Sequence, residues 1–262
     1  MEPLAGLRLG FVGTGTITSA IVTGLCASGA DHRIIVSPRN ETVATRLASQ
    51  FPQVQIAKSN QDVLAGSDVV LLSIRPQVAT DVLSSLAFRP GHRVISLIAT
   101  FARDRVAALV SPATAVTCAV PIPMVASHLS PTAIFPPDRI AAALFEPLGV
   151  AVEVTTEHEF QALWASTAMM STFFTLLDSL GSWLVKEGVP SSRARDQIAM
   201  MFDGLARVPQ GSSATFAELA QEFETKGGLN EQCATQLANA GVFEACSVAL
   251  DAILARIQDR AQ

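Results

Sequence analysis

The chain has 262 residues, 49% of them hydrophobic, which is enough to bury a sizeable core and to divide into two domains. Its formal net charge is −5, and its 18 lysines and arginines are scattered along the sequence, so the basic patch of a nucleic-acid-binding surface is not expected. Four cysteines, Cys26, Cys118, Cys233 and Cys246, lack metal-ligand spacing and read as buried free thiols of a cytoplasmic protein, with no metal site. No stretch is read as long and apolar enough to span a bilayer, and the positive mean hydropathy of +0.38 is ascribed to an oligomer interface.

The first element is the most informative. Leu7 to Val12 forms an apolar strand that runs into Gly13-Thr14-Gly15-Thr16-Ile17-Thr18 and then a helical pattern. Gly13 suits the tight turn after the strand, and Gly15 lets the backbone approach a pyrophosphate held at the positive end of the helix. Thr18 departs from this fingerprint, standing where a glycine or alanine usually permits close packing of helix on strand.

A second apolar run, Arg33-Ile34-Ile35-Val36, leads to Ser37-Pro38-Arg39-Asn40 where the adenosine ribose lies in such folds. The segment has no carboxylate to pair with a ribose 2′-hydroxyl, whereas a hydroxyl and a guanidinium favour a 2′-phosphate, so NADP(H) is read over NAD(H). The alternative for Arg39 is a solvated residue at a helix start.

Strands are expected near 7–13, 33–37, 54–57, 68–73, 93–97, 114–119 and 151–154, with helical patterns between the early ones. This alternation predicts an α/β doubly wound parallel sheet of Rossmann type. The runs Val69-Val70-Leu71-Leu72 and Val94-Ile95-Ser96-Leu97 are apolar on both faces, as central strands of a covered sheet should be.

Beyond Glu157 the pattern turns helical, over Glu159 to Glu187, Ser191 to Arg207, Thr215 to Glu224 and Glu231 to Asp259. The change of periodicity sets a domain boundary near residue 155, with an NADP-binding domain over 1–155 and an all-helical dimerisation and substrate domain over 156–262. Met169-Met170, Phe173-Phe174, Trp164 and Trp183 read as core or dimer packing, making a homodimer the default expectation. The four histidines, His32, His92, His128 and His158, fall in expected loops or element ends and read as solvated, with His128 a lesser candidate for lining the site.

Taken together, these motifs resemble the pyrroline-5-carboxylate reductases along most of the chain. Gly13-Thr14-Gly15-Thr16-Ile17-Thr18 resembles the family's glycine loop and Ser37-Pro38-Arg39-Asn40 its 2′-phosphate segment. Ser73-Ile74-Arg75-Pro76-Gln77 resembles the turn that follows its fourth strand, with Arg75 in place of the usual lysine. Ala119-Val120-Pro121-Ile122-Pro123 is similar to a shortened and altered Met-Pro-Asn-Thr-Pro, without its asparagine. The resemblance therefore implies cofactor contacts from Gly13, Thr14, Gly15, Thr16, Ile17, Ser37, Arg39, Ser73, Ile74, Arg75 and Pro121.

Further along, Ser166-Thr167-Ala168-Met169-Met170-Ser171-Thr172 stands where the family has Ser-Gly-Ser-Gly-Pro-Ala-Tyr. Thr225-Lys226-Gly227-Gly228-Leu229-Asn230 stands for its carboxylate-holding Ser-Pro-Gly-Gly-Thr-Thr. The resemblance thus implies substrate contacts from Lys226, Gly227, Gly228, Leu229 and Asn230; read without it, Lys226-Gly227-Gly228 is an ordinary interhelical turn. The implied reaction is hydride transfer to the C=N bond of 1-pyrroline-5-carboxylate or a related small imine. The chain has no tyrosine, which leaves Ser166, Thr172 and Thr225 as candidate proton donors. Two other readings stay open: a non-catalytic nucleotide-binding sensor, and hydride chemistry with a deazaflavin cofactor or a hydroxy acid substrate.

Overall fold

The computed structural model describes residues 6–29 and 31–261. The chain falls into two compact units, Met1–Ala165 together with Leu254–Gln262, and Ser166–Ile253.

The first unit is an eight-stranded sheet in the order β3-β2-β1-β4-β5-β6-β7-β8. Its strands are β1 (Arg8–Val12), β2 (Arg33–Val36), β3 (Val54–Ile56), β4 (Val69–Leu72), β5 (Arg93–Ser96), β6 (Ala115–Val120), β7 (Ser130–Phe135) and β8 (Gly149–Glu153). The first six helices alternate with them as α1 (Thr16–Ala27), α2 (Glu41–Gln50), α3 (Asn60–Gly66), α4 (Pro76–Ser84), α5 (Arg103–Leu109) and α6 (Arg139–Phe145). Strands β1 to β6 pair in parallel. Because β1 lies between β2 and β4, the winding reverses there, and the crevice beyond the carboxyl ends of β1 and β4 is where such sheets bind ligands.

The side-chain alternation of β4 explains why this sheet is central to the core. Val69 and Leu71 join Leu9, Phe11, Ile21 and Leu25 on one face, while Val70 and Leu72 join Val12, Leu64, Ala79 and Leu83 on the other. Both faces are dry, so a strand here must be apolar at every position.

The expectation of a wholly parallel sheet is corrected at β7, which runs antiparallel to β6 and parallel to β8. Pro131 hides this strand from a sequence reading, because a proline inside an apolar run argues against a strand. Pairing with β6 involves only Ala133, Ile134 and Phe135, so Pro131 lies beyond that ladder and its missing N–H costs nothing on that side.

The first unit also runs past the expected boundary at 155. Helix α7 (Glu157–Ser166) packs Phe160 between Phe135 and Trp164, and Ile257 near the chain's end is buried as well. Periodicity marks where strands stop, whereas contacts continue for a further helix.

The second unit holds α8 (Met169–Lys186), α9 (Ser191–Arg207), α10 (Phe216–Phe223), α11 (Leu229–Asn239) and the start of α12 (Val242–Ala261). The two longest expected helices are each broken, one between Ser166 and Met169 and the other at Ala240-Gly241. Helix α8 meets α9 through Phe173 and Phe202 and contains no buried residue. Phe174, Trp183, Met200 and Phe216 are 59% to 79% exposed, an apolar surface that a single chain leaves in water. The stretch Glu157–Lys186 is long and apolar enough by length and composition to cross a membrane, with a best-window mean hydropathy of 1.2, contrary to the sequence reading. Asp178 interrupts the run from within, and Glu157, Glu159 and Lys186 stand at its ends, so the sequence shows no unbroken apolar stretch of that length.

Candidate functional site

At the carboxyl end of β1 the chain turns through Gly13, whose φ of +100° suits a residue without a Cβ. A side chain there would also stand 2.5 Å from the Ser73 carbonyl oxygen beyond β4, so the close approach of the two strand ends requires glycine. Four hydroxyls then fasten the loop from behind. The Gly13 N–H donates to Ser37 Oγ at 3.0 Å, and Thr14 Oγ1 donates to the Ser37 carbonyl at 2.6 Å. Thr18 Oγ1 and Ser73 Oγ each lie 2.7 Å from the Gly13 carbonyl oxygen and are in contact with each other. Thr14, Thr18 and Ser37 are buried, so these bonds form in a low-dielectric setting where losing one partner is costly.

The front of the loop is open. Gly15 caps α1 with no side chain accepting from the helix's first N–H groups, and a Cβ on Gly15 would meet nothing within 4 Å. Exposed Thr16 and half-buried Ile17 follow on the same turn. Unpaired N–H groups, the positive end of a 12-residue helix and space above the backbone together suit a pyrophosphate, so the residues present fit a dinucleotide.

Arg39 stands exposed beyond β2, and its neighbour Asn40 caps α2 by accepting from the Val43 N–H. No carboxylate stands between Ser37 and Asn40, which leaves the guanidinium available to a 2′-phosphate. Ser37 is corrected from a phosphate contact to a loop-organising residue, because it is fully buried and its hydroxyl is bonded to Gly13 and Thr14. Ile74 is half-buried and Arg75 exposed at the start of α4, and Pro121 follows the carboxyl end of β6. Gly13, Ser73 and Pro121 therefore follow the carboxyl ends of β1, β4 and β6 along one rim of the sheet.

Two residues of this rim escape a sequence reading. Thr18, a departure from the fingerprint, supplies a hydroxyl that ties the loop to Ser73; the signal available was a hydroxyl five residues after Gly13 paired with another closing β4. Thr100, beyond β5, has φ +58°, a left-handed conformation that strains a β-branched residue. Nothing in the sequence marks it.

The histidine reading is also corrected. His92 is buried, with Nδ1 accepting from the Arg89 N–H and Nε2 within 3.0 Å of the Leu64 carbonyl, and burial pushes its pKa down. His128 Nε2 bonds to the carbonyl of Gly24, in the last turns of α1, away from the glycine loop at that helix's start. Among the thiols expected to be buried, Cys118 is buried and pushed up to about 12, whereas Cys26 and Cys246 are half-buried and Cys233 is exposed.

In the second unit, Ser166 closes α7, Thr172 lies on α8 and Thr225 precedes α11, and all three are exposed. Lys226 and Leu229 are exposed as well. The turn itself is self-bonded: the Gly228 N–H donates to the Thr225 carbonyl at 2.6 Å, and Asn230 Nδ2 donates to the Phe223 carbonyl at 2.8 Å. The Gly227 N–H donates to the Glu231 carboxylate, a residue the sequence reading did not single out.

Two family models match separate parts of the chain. Residues 8–100 match the family described as NADP oxidoreductase, coenzyme F420-dependent, and residues 157–260 match pyrroline-5-carboxylate reductase dimerisation. The chain is 25% identical over 272 residues to pyrroline-5-carboxylate reductase of Haemophilus influenzae, covering 96% of each. Its fold is similar to that of 1-pyrroline-5-carboxylate reductase from Streptococcus pyogenes, with a TM-score of 0.84, 23% identity and coverage of 97% of this chain and 98% of that one. It is likewise similar to Plasmodium falciparum pyrroline carboxylate reductase with NADP bound, with a TM-score of 0.83, 15% identity and full coverage of both.

Proposed function

We propose that the chain is a member of the pyrroline-5-carboxylate reductase family and that it reduces the C=N bond of a small imine, 1-pyrroline-5-carboxylate or a close relative, with NADPH. The observation that carries this reading is the open, uncapped start of α1 at the switch point of the sheet, held rigid from behind by buried hydroxyls.

The cofactor supplies a hydride when bound. The work of the chain's own residues is to bind, orient and keep out water. The N–H groups after Gly15 receive the pyrophosphate, and Arg39 receives the 2′-phosphate. The hydroxyl network fixes the loop at the carboxyl end of β1, on the rim where Thr100 follows β5 and Pro121 follows β6, and these are the residues that would flank the cofactor. An imine that arrives protonated carries its own proton, so the absence of tyrosine leaves the reaction without need of a strong acid from the protein. Ser166, Thr172 and Thr225 are the hydroxyls offered to the substrate side.

The helical unit is proposed to form a homodimer of a soluble, cytoplasmic protein. The exposed faces of Phe174, Trp183 and Met200 are the apolar surface such a contact would cover, which also accounts for the hydropathy of Glu157–Lys186. Sedimentation at increasing salt tests this, with a dimer expected and a monomer at micromolar concentration contradicting it. The catalytic reading is tested by NADPH oxidation with 1-pyrroline-5-carboxylate and a panel of cyclic imines. Turnover supports it, and NADPH binding without turnover of any imine points instead to a nucleotide sensor.

A further inference from the structure

We propose that the hydroxyl of Thr100 holds the carboxamide of the bound nicotinamide and so orients the ring for hydride transfer. The proposal rests on the nicotinamide-cofactor part of the reading above and deepens it by naming a ring-orienting residue; it does not depend on which imine is reduced.

The ladder that joins β1, β4 and β5 runs to the carboxyl ends of the strands, where the Ser73 N–H donates to the Val12 carbonyl and the Leu97 N–H to the Leu72 carbonyl, both at 2.9 Å. The turn after β5 therefore stands two strands over from the glycine loop, about 10 Å away at the usual strand spacing. A dinucleotide whose pyrophosphate sits at the start of α1 and whose 2′-phosphate meets Arg39 beyond β2 must extend its other half the opposite way, over β4 and β5. A ribose and a pyridine ring span that distance, which puts the ring at the turn that holds Thr100.

Threonine is a poor fit to that turn on backbone grounds alone. Its φ of +58° is a left-handed conformation that crowds a β-branched side chain, and Ile98 and Phe101 on either side are buried in the core and fix the backbone between them. The ordinary reasons for a hydroxyl here fail. Thr100 does not cap α5, whose start at Ala102 receives no side-chain bond. Ser37, Ser73 and Ser96, the hydroxyls at the ends of β2, β4 and β5, are each bonded inside the chain, whereas the Thr100 hydroxyl has no hydrogen-bond partner among the described residues. His128, the other described non-glycine residue with a positive φ, bonds the Gly24 carbonyl through its ring, so its conformation serves a contact within the fold. Thr100 is half-buried, and its hydroxyl can both donate and accept, which suits a carboxamide that offers a carbonyl oxygen and an NH2 group.

The test compares, by calorimetry, the dissociation constants of NADPH and of 2′-phospho-ADP-ribose, which keeps both riboses and all the phosphates but lacks the pyridine ring. The proteins are the unaltered chain, Thr100→Val, Thr100→Ser and Thr100→Gly. Thr100→Val keeps the branched shape without the hydroxyl and should weaken NADPH by about tenfold, the scale of one hydrogen bond, while leaving 2′-phospho-ADP-ribose unchanged. Thr100→Ser should bind NADPH nearly as the unaltered chain does. Thr100→Gly should weaken NADPH as the valine does while relaxing the backbone, which separates loss of the hydroxyl from damage to the turn. NADPH affinity unchanged in Thr100→Val and Thr100→Gly, equal losses for the two ligands, or a serine variant no better than the valine overturns the proposal. In each of those cases the unaltered chain still binds nucleotide, and the nucleotide reading stands. If the unaltered chain binds neither ligand, the nucleotide reading falls and this proposal falls with it.

Discussion

Two glycine turns lead into helices in this chain, and although neither helix start receives a side-chain cap, the turns ahead of them are fastened differently. Ahead of α1, the side chains of Thr14, Thr18, Ser37 and Ser73 all bond to the back of the loop, and none of them caps the helix. Ahead of α11, Glu231 turns back onto Gly227 and the turn closes on itself. Glycines before a helix are therefore not enough to make an anion site. What differs is the space around the cap glycine, which spacing alone does not reveal: a Cβ on Gly15 would meet nothing within 4 Å, whereas one on Gly228 would stand 2.7 Å from the Thr225 carbonyl oxygen.

The largest test of this contrast is to fill the open turn. Gly15→Val should weaken NADPH and NADH alike by roughly a hundredfold or more, since the branched side chain occupies the space a pyrophosphate needs. Fluorescence titration reads this, and unchanged affinity would remove the nucleotide assignment from this loop. Arg39→Ala should be selective, weakening NADPH by about 1.5 to 3 kcal/mol, the worth of a hydrogen bond to a charged group, while leaving NADH nearly as it was. Equal losses for both nucleotides would contradict a 2′-phosphate contact.

The back of the loop should behave as structure. Thr18→Val removes a buried hydroxyl from the Gly13 carbonyl and should cost about 1 to 3 kcal/mol in urea unfolding. A stability unchanged by this substitution would show that the hydroxyl network is not what holds the loop. Thr100→Gly should act the other way, relieving left-handed strain worth about 1 kcal/mol or more and raising the melting temperature. Should catalysis fall as stability rises, the strain belongs to the rim's working geometry.

A smaller effect sets the fold apart from the site. The pKa of His92 is pushed below its ordinary value, chiefly by burial, so the unfolded chain takes up a proton more readily than the folded one. Its contribution to stability is present above about pH 6.5 and is lost as pH falls through the lowered folded value. His92→Gln should flatten this acid-side slope of the unfolding midpoint, and a slope that stays the same would assign it to other groups.

Much of the nucleotide half is legible in the sequence, because its signals are local. An apolar strand, two glycines and a helical pattern lie within fifteen residues, and β4 announces its central place by being apolar throughout. What escapes depends on contacts between distant segments. Pro131 disguises β7 because its harmlessness follows from where the β6 ladder ends. Thr18 reads as a fault until Ser73 is seen across from it, 55 residues away in the chain. Glu231 was legible in principle, since a glutamate at the third position of a helix often reaches back to the N–H groups before it.

The central claim is that the open start of α1 serves a 2′-phosphorylated nicotinamide cofactor in the reduction of an imine. The most direct measurement follows nucleotide oxidation with a panel of cyclic imines, using NADPH and NADH in parallel at equal concentrations. The account predicts turnover of at least one imine with clear preference for NADPH. Absence of binding by either nucleotide, or equal rates with both, would contradict it.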